Sequence, residues 1–121
     1  MMKDEINRLR DVCHDAAVRG GWYHDPKTME QIERNVPEML CLIHSEVSEA
    51  MEGYRKDLPD DKLPHRKMVI VELADAVIRI ADLAGYLRED LGAAVTEKLV
   101  YNANRPDHKI ENRAKEGGKK F

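Results

Sequence analysis

The stretches Ile43-His44-Ser45-Glu46-Val47-Ser48-Glu49-Ala50-Met51-Glu52 and Val71-Glu72-Leu73-Ala74-Asp75-Ala76-Val77-Ile78 decide how this chain reads. Each sets two acids three residues apart inside a run whose apolar positions recur with helical period. On a helix that spacing puts both carboxylates on one face, with Cβ atoms roughly 5–6 Å apart, so each pair can grip one cation. Two such helices side by side would bring Glu46, Glu49, Glu72 and Asp75 together. Like charges about 4 Å apart repel by roughly 4 kcal/mol at an effective dielectric of about 20, so a converged cluster calls for a metal ion. Hard oxygen ligands suit Mg2+ or Mn2+. The four acids are therefore expected to be the metal ligands and catalytic residues of a site acting on a phosphate-bearing substrate.

Working outward, punctuation divides the remainder into helices. Residues 4–18 carry Ile6, Leu9, Val12, Cys13 and Ala16 at three- and four-residue spacing, and Gly20-Gly21 supplies a helix stop. Trp22 to Lys27 reads as a loop. Thr28 with Gln31 forms a capping-box signature for a short helical piece, with a restart near Val36, ahead of Pro37, as the alternative. Leu40, Ile43, Val47, Ala50, Met51 and Tyr54 make one apolar stripe with Glu46 and Glu49 along its flank. Residues 55–65, with Pro59 and Pro64, read as a connector short enough to make its flanking helices antiparallel partners.

Between Arg66 and about Leu87, a broad apolar face including Ile70, Leu73, Val77 and Ile80 leaves Glu72, Asp75, Arg79 and Asp82 as the one polar strip, so this helix is expected to be mostly buried. A fourth helix runs from about Ala93 to Asn104 and stops before Pro106. The expected fold class is all-α: one four-helix-bundle-type domain over residues 1–121 with antiparallel acidic helices, and a basic tail from Arg105.

Composition narrows the class further. A single core in a chain of 121 residues buries only a moderate share of its surface, which leaves oligomerisation open. One Phe and 5% aromatic residues leave the core to aliphatic side chains. Cys13 and Cys41 fit no metal or redox spacing and read as reduced thiols of a cytoplasmic protein. No apolar run has the length of a signal core or a membrane span, so neither is expected. The net charge of −3 divides into +3 for residues 105–121 and −6 for residues 1–104. Six scattered cations without interleaved aromatics make a poor nucleic-acid arm, and no nucleic-acid partner is expected.

Each feature also has a plainer account. A lone acidic pair at this spacing is usually a solvated strip, but here two pairs sit on neighbouring helices, one of them too apolar for a free surface. Lys98, Tyr101, Asn102 and Arg105 form a polar stripe on the fourth helix that is either a wet face or a phosphate clamp. The five histidines lack ligand spacing. Trp22, the one tryptophan, is either a core anchor or a ring offered for stacking on a base. Gly117-Gly118-Lys119-Lys120 lacks the strand and helix context of a P-loop.

The two acidic stretches resemble the paired ExxE and ExxD signature of the MazG-like all-α nucleoside triphosphate pyrophosphohydrolases, with 22 residues between Glu49 and Glu72. The resemblance runs from about Trp22 to the C-terminus, through Glu97-Lys98-Leu99-Val100-Tyr101-Asn102-Ala103-Asn104-Arg105 and the terminal Gly-Gly-Lys-Lys-Phe. It departs at Ser45, where the fuller family motif has a further acid.

What the resemblance implies is Mg2+-dependent cleavage of a (deoxy)nucleoside triphosphate between the α and β phosphates, giving a nucleoside monophosphate and pyrophosphate. Glu46, Glu49, Glu72 and Asp75 would hold the metal. Lys98, Asn102 and Arg105 would neutralise phosphate oxygens, beside Tyr101, and Lys115, Lys119 and Lys120 would add charge from the tail. A tight dimer or a tetramer is implied as well. A phosphoribosyl-ATP pyrophosphatase is the nearest enzymatic alternative, and a non-catalytic helical oligomerisation or ligand-binding module is the alternative outside enzymes.

Overall fold

The computed structural model describes residues 2–121. Among these the chain forms five α-helices and no strand: α1 (Met2–Arg19), α2 (Val36–Arg55), α3 (Met68–Tyr86), α4 (Leu91–Ala103) and the single turn α5 (Ile110–Arg113), with a 3-10 turn at Pro106–His108. The all-helical expectation holds for the described residues. They fall into two compact units, one of residues 8–89 and one of residues 90–121 together with the start of α1 up to Asn7.

The larger unit is organised by how its helices start and stop. After α1, Gly21 takes φ +84°, and the amides of Gly20 and Trp22 bond back to the carbonyls of Ala16 and Ala17 at 2.9 and 3.1 Å. That left-handed residue is open to glycine at little cost. The short helix expected from Thr28 does not form. Asp25 Oδ1 accepts from the amides of Lys27 and Thr28 at 2.8 and 3.0 Å, and Met29 sits at φ +62°, outside helical geometry. The capping residue is Asn35 instead, whose Oδ1 accepts from Glu38 N–H at 3.0 Å, with Pro37 in the first turn.

The connector between α2 and α3 is folded around Asp60, 3% exposed, whose Oδ2 accepts from the amides of Lys62 and Leu63 at 3.0 and 2.8 Å. Helices α2 and α3 pack along each other. Gly53 near the end of α2 lies against Met68 at the start of α3, where an added Cβ would come 2.7 Å from Met68 Cγ. Glu46 meets Arg79, and Met39 near the start of α2 shares a small core with Leu83 and Tyr23. Helix α1 closes on α3 at Gly85, where a Cβ would overlap His14.

The core is modest. Tyr23, Met39 and Leu83 are its buried centre, ringed by Ala17, Val18, Val36, Ile43 and Tyr86, and among the described residues no large side chain is completely enclosed. The apolar stripes expected to be core are exposed: Leu40, Val47, Met51 and Tyr54 on α2, and Ile70, Leu73, Val77 and Ile80 on α3. Glu46 and Glu72 are buried and Asp75 half-buried. The mostly buried α3 of the sequence reading is thus corrected: its acids turn inward and much of its apolar face turns outward.

In the smaller unit Asp90 caps α4, accepting from Ala93 N–H at 2.8 Å and from Asn7 Nδ2 at 2.9 Å. Asn7 Oδ1 in turn accepts from Gly92 N–H at 2.8 Å.

Candidate metal centre and adjoining cleft

Helical spacing delivers the carboxylates in pairs and the packing of α2 on α3 merges them. Glu46, Glu72 and Asp75 each offer an oxygen, all within 4.8 Å of one another. Glu49 is exposed and stands outside this trio, yet close enough to Glu72 to influence its titration. Ser45, where the family motif has an acid, donates its hydroxyl to Leu42 O at 2.6 Å, so it is spent on its own helix.

The electrostatics are those of crowded acids. A hydrogen bond to Glu46 together with burial and the neighbouring Glu49 pushes the Glu72 carboxyl up to about 8. Burial, with the Glu46 charge, also raises Asp75. For Glu46 burial is outweighed by hydrogen bonds with Glu72 and Arg79 and by the guanidinium charge, and its carboxyl is lowered. Arg79 Nε reaches Glu46 Oε1 at 2.9 Å. Even so, Glu72 Oε2 is buried without a hydrogen-bond partner.

Two clefts reach this cluster. One, of about 570 Å3, is bordered by Glu46 and Asp75 and runs along Arg79, Asp82, Arg34 and Trp22. The other, of about 620 Å3, meets Glu49, Glu72 and the connector acids Asp60 and Asp61. Trp22 is 68% exposed and so is no core anchor, whereas its neighbour Tyr23 is 4% exposed and belongs to the core.

Tyr23 stacks on Tyr86, with centroids 5.2 Å apart, and meets His14 edge-on at 5.0 Å. Its hydroxyl donates to Asp82 Oδ1 at 2.7 Å, and burial followed by this bond raises its pKa far above the usual phenol range. His14 Nδ1 lies 3.0 Å from the same oxygen.

The stripe expected on the fourth helix also assembles. Lys98 Nζ sits 4.6 Å from the Tyr101 ring centroid, and the Arg105 guanidinium is 5.8 Å from it while pairing in bidentate fashion with Asp107 at 3.1 and 2.9 Å. Asn102 Oδ1 is buried without a partner. In the tail Lys115 Nζ reaches Asn112 Oδ1 at 3.2 Å, Lys119 Nζ lies 3.9 Å from Asp107, and Lys120 is exposed.

The structure therefore brings Glu46, Glu72 and Asp75 together in the larger unit, and Lys98, Tyr101 and Arg105 together in the smaller. Sequence reasoning passed over Arg34, Arg79 and Asp82 as cleft residues. Arg79 and Asp82 stood on the same polar strip as the acids, which was their signal; Arg34 had none, because only tertiary folding brings it to the cleft. No family model, curated protein or solved structure matches the chain. No helix among the described residues is long and apolar enough to cross a membrane.

Proposed function

We propose that the protein is a divalent-cation-dependent nucleoside triphosphate pyrophosphohydrolase of the MazG-like all-α kind. One observation carries the reading: Glu72 keeps a buried oxygen without a hydrogen-bond partner inside a trio of converging carboxylates. A buried acceptor without a donor is costly, and a cation is the partner that three crowded carboxylate oxygens fit. The donor set is all hard oxygen, suited to Mg2+ or Mn2+. Glu46, Glu72 and Asp75 would hold the ion, with Glu49 completing the set from its exposed position. When bound, such an ion supplies positive charge to the triphosphate and favours attack by water.

The chain's own groups do the rest. Glu72 releases its proton as the site loads. Attack of water at the α-phosphorus breaks the bond to the bridging oxygen and frees pyrophosphate and a nucleoside monophosphate, the proton of the water passing to solvent. Trp22, at the edge of the larger unit's first cleft, offers a ring for the base. Lys98, Asn102 and Arg105, with Tyr101 and the tail cations Lys115, Lys119 and Lys120, are the groups of the smaller unit proposed to bind phosphate oxygens.

The reading includes a homo-oligomer, dimer or tetramer, built on an antiparallel acidic pair in a four-helix-bundle-type arrangement. The exposed stripes on α2 and α3 support it, since apolar surface of this extent marks an association face.

The test is pyrophosphate release from a panel of (deoxy)nucleoside triphosphates with Mg2+ and with EDTA. Equimolar monophosphate and pyrophosphate, abolished by EDTA, is the expected result. Release of orthophosphate alone, or no turnover of any nucleotide, overturns the reading.

A further inference from the structure

Asp82 enters neither the acid trio nor the core, yet its side chain is only 16% exposed and borders the cleft that Glu46 and Asp75 open onto. Both of its protein partners use one oxygen: Tyr23 Oη donates to Oδ1 at 2.7 Å and His14 Nδ1 lies 3.0 Å from it. Among the described residues nothing donates to Oδ2. The carboxylate is held from behind, because Tyr23 is fixed by stacking on Tyr86, and the Tyr86 hydroxyl is itself fixed as acceptor for Arg34 N–H at 3.0 Å. An acceptor oriented in this way needs no reordering when a ligand arrives. A purely structural role would leave a half-desolvated charge with its second oxygen idle, at a cost that two donors on the first oxygen do not remove.

The same cleft is lined by Trp22 and by Arg34, whose guanidinium lies 5.6 Å from the Tyr23 ring centroid. Arg34 is occupied in part by Trp22 O, 3.3 Å from Nη1. A ring that is 68% exposed and an oriented carboxylate oxygen lining one cleft form a reader of planar ligands that carry an N–H donor at their periphery, while Glu46 and Asp75 of the same cleft are the acids assigned to the ion.

We infer that Asp82 is a specificity-determining residue, whose free Oδ2 accepts a hydrogen bond from an exocyclic amino group, so that the cleft takes nucleotides of amino-bearing bases over those of uracil or thymine. This rests on the nucleotide reading above. The imide N–H of uracil and thymine lies between two carbonyl oxygens, which a carboxylate repels, whereas the amino groups of cytosine and adenine stand clear of any carbonyl. A charge-assisted hydrogen bond of this kind corresponds to about ten- to a hundredfold in affinity.

Trp22, the one tryptophan of the chain, reports binding by its fluorescence. The test is titration of the protein, with Mg2+ present, with the α,β-methylene triphosphates of cytidine and uridine, which resist cleavage. The cytidine analogue is expected to bind about ten- to a hundredfold more tightly, and Asp82→Asn, which offers an amide N–H in place of the free oxygen, is expected to abolish or invert that ratio. Should the variant melt early, the corresponding adenosine and purine riboside analogues, which differ by the amino group alone, make the same comparison on the unmodified chain. Equal affinities within each pair, or a ratio unchanged in a folded Asp82→Asn, overturn the assignment and leave the pyrophosphohydrolase reading standing. Failure of every nucleotide to bind overturns both.

Discussion

Helices α2 and α3 have two faces that obey opposite rules. On the inner face Glu46 and Glu72 are buried and Asp75 half-buried, while on another face of each helix four large apolar side chains meet solvent. A domain that had only to fold would reverse this, since burying an aliphatic side chain is favourable and burying an unpaired carboxylate is not. The inner face therefore gives up stability to hold acids together, with Arg79 the one direct counter-charge to Glu46 among the described residues. The outer face holds apolar surface that the small core around Tyr23, Met39 and Leu83 does not use. The proposed function and the proposed association would then use different faces of the same two helices.

Perturbing the inner face should give the largest effect. Asp75→Asn or Glu49→Gln is expected to lower pyrophosphohydrolysis roughly a thousandfold, the several kcal/mol that metal-borne charge stabilisation contributes. The metal-free melting temperature should hold or rise, because a like charge has been removed. Near-normal turnover by both variants at saturating Mg2+ would show that the acid face is not the site.

Charging the outer face should do the reverse. Val47→Asp or Val77→Asp sets an unpaired carboxylate into the association surface at a cost of several kcal/mol. Sedimentation should then show a monomer whose metal-dependent melting shift persists. An unmodified chain that is already monomeric at micromolar concentration would remove the distinction between the faces.

Trp22→Ala is expected to raise KM by about one to two orders of magnitude, the worth of stacking on one base. Its melting temperature should move little, against the roughly 3–5 kcal/mol that loss of a core aromatic costs. The remaining effect is with pH. Glu72 is pushed up to about 8 in the folded chain from an ordinary carboxyl value, so it favours the fold while protonated. The Glu72 contribution to metal-free stability should be full below about pH 4.5 and be lost as pH rises through about 8, read as a falling melting temperature. With Mg2+ present the decline should flatten, because the ion takes the place of the proton.

Much of this was legible in the residues. The three-residue spacing of Glu46 with Glu49 and of Glu72 with Asp75 forces each pair onto one helix face, and Gly21 and Pro37 mark the end of α1 and the start of α2 by local chemistry. What failed did so where tertiary contacts compete with local signals. Thr28 and Gln31 look like a cap, but Asp25 takes the Thr28 amide and Met29 adopts a left-handed turn. Ile70, Leu73, Val77 and Ile80 read as core because an apolar stripe has the same pattern in sequence whether it packs within the chain or is left exposed. The departure of Glu49 from the trio depends on side-chain reach across α2 and α3, which spacing along one helix cannot report. The anchoring of Asp82 by Tyr23 and His14 joins positions 59 and 68 residues apart.

The central claim is that the inward acids form a metal centre. The most direct measurement is the melting temperature of the unmodified chain and of Asp75→Asn across a titration of Mg2+ or Mn2+ at pH 8, against EDTA. A real site gains RT ln(1 + [L]/Kd), about 2.7 kcal/mol at a hundred times Kd, so the unmodified chain should climb steadily with metal while the variant stays flat. Identical melting with metal and with EDTA, or an equal climb in Asp75→Asn, would contradict it.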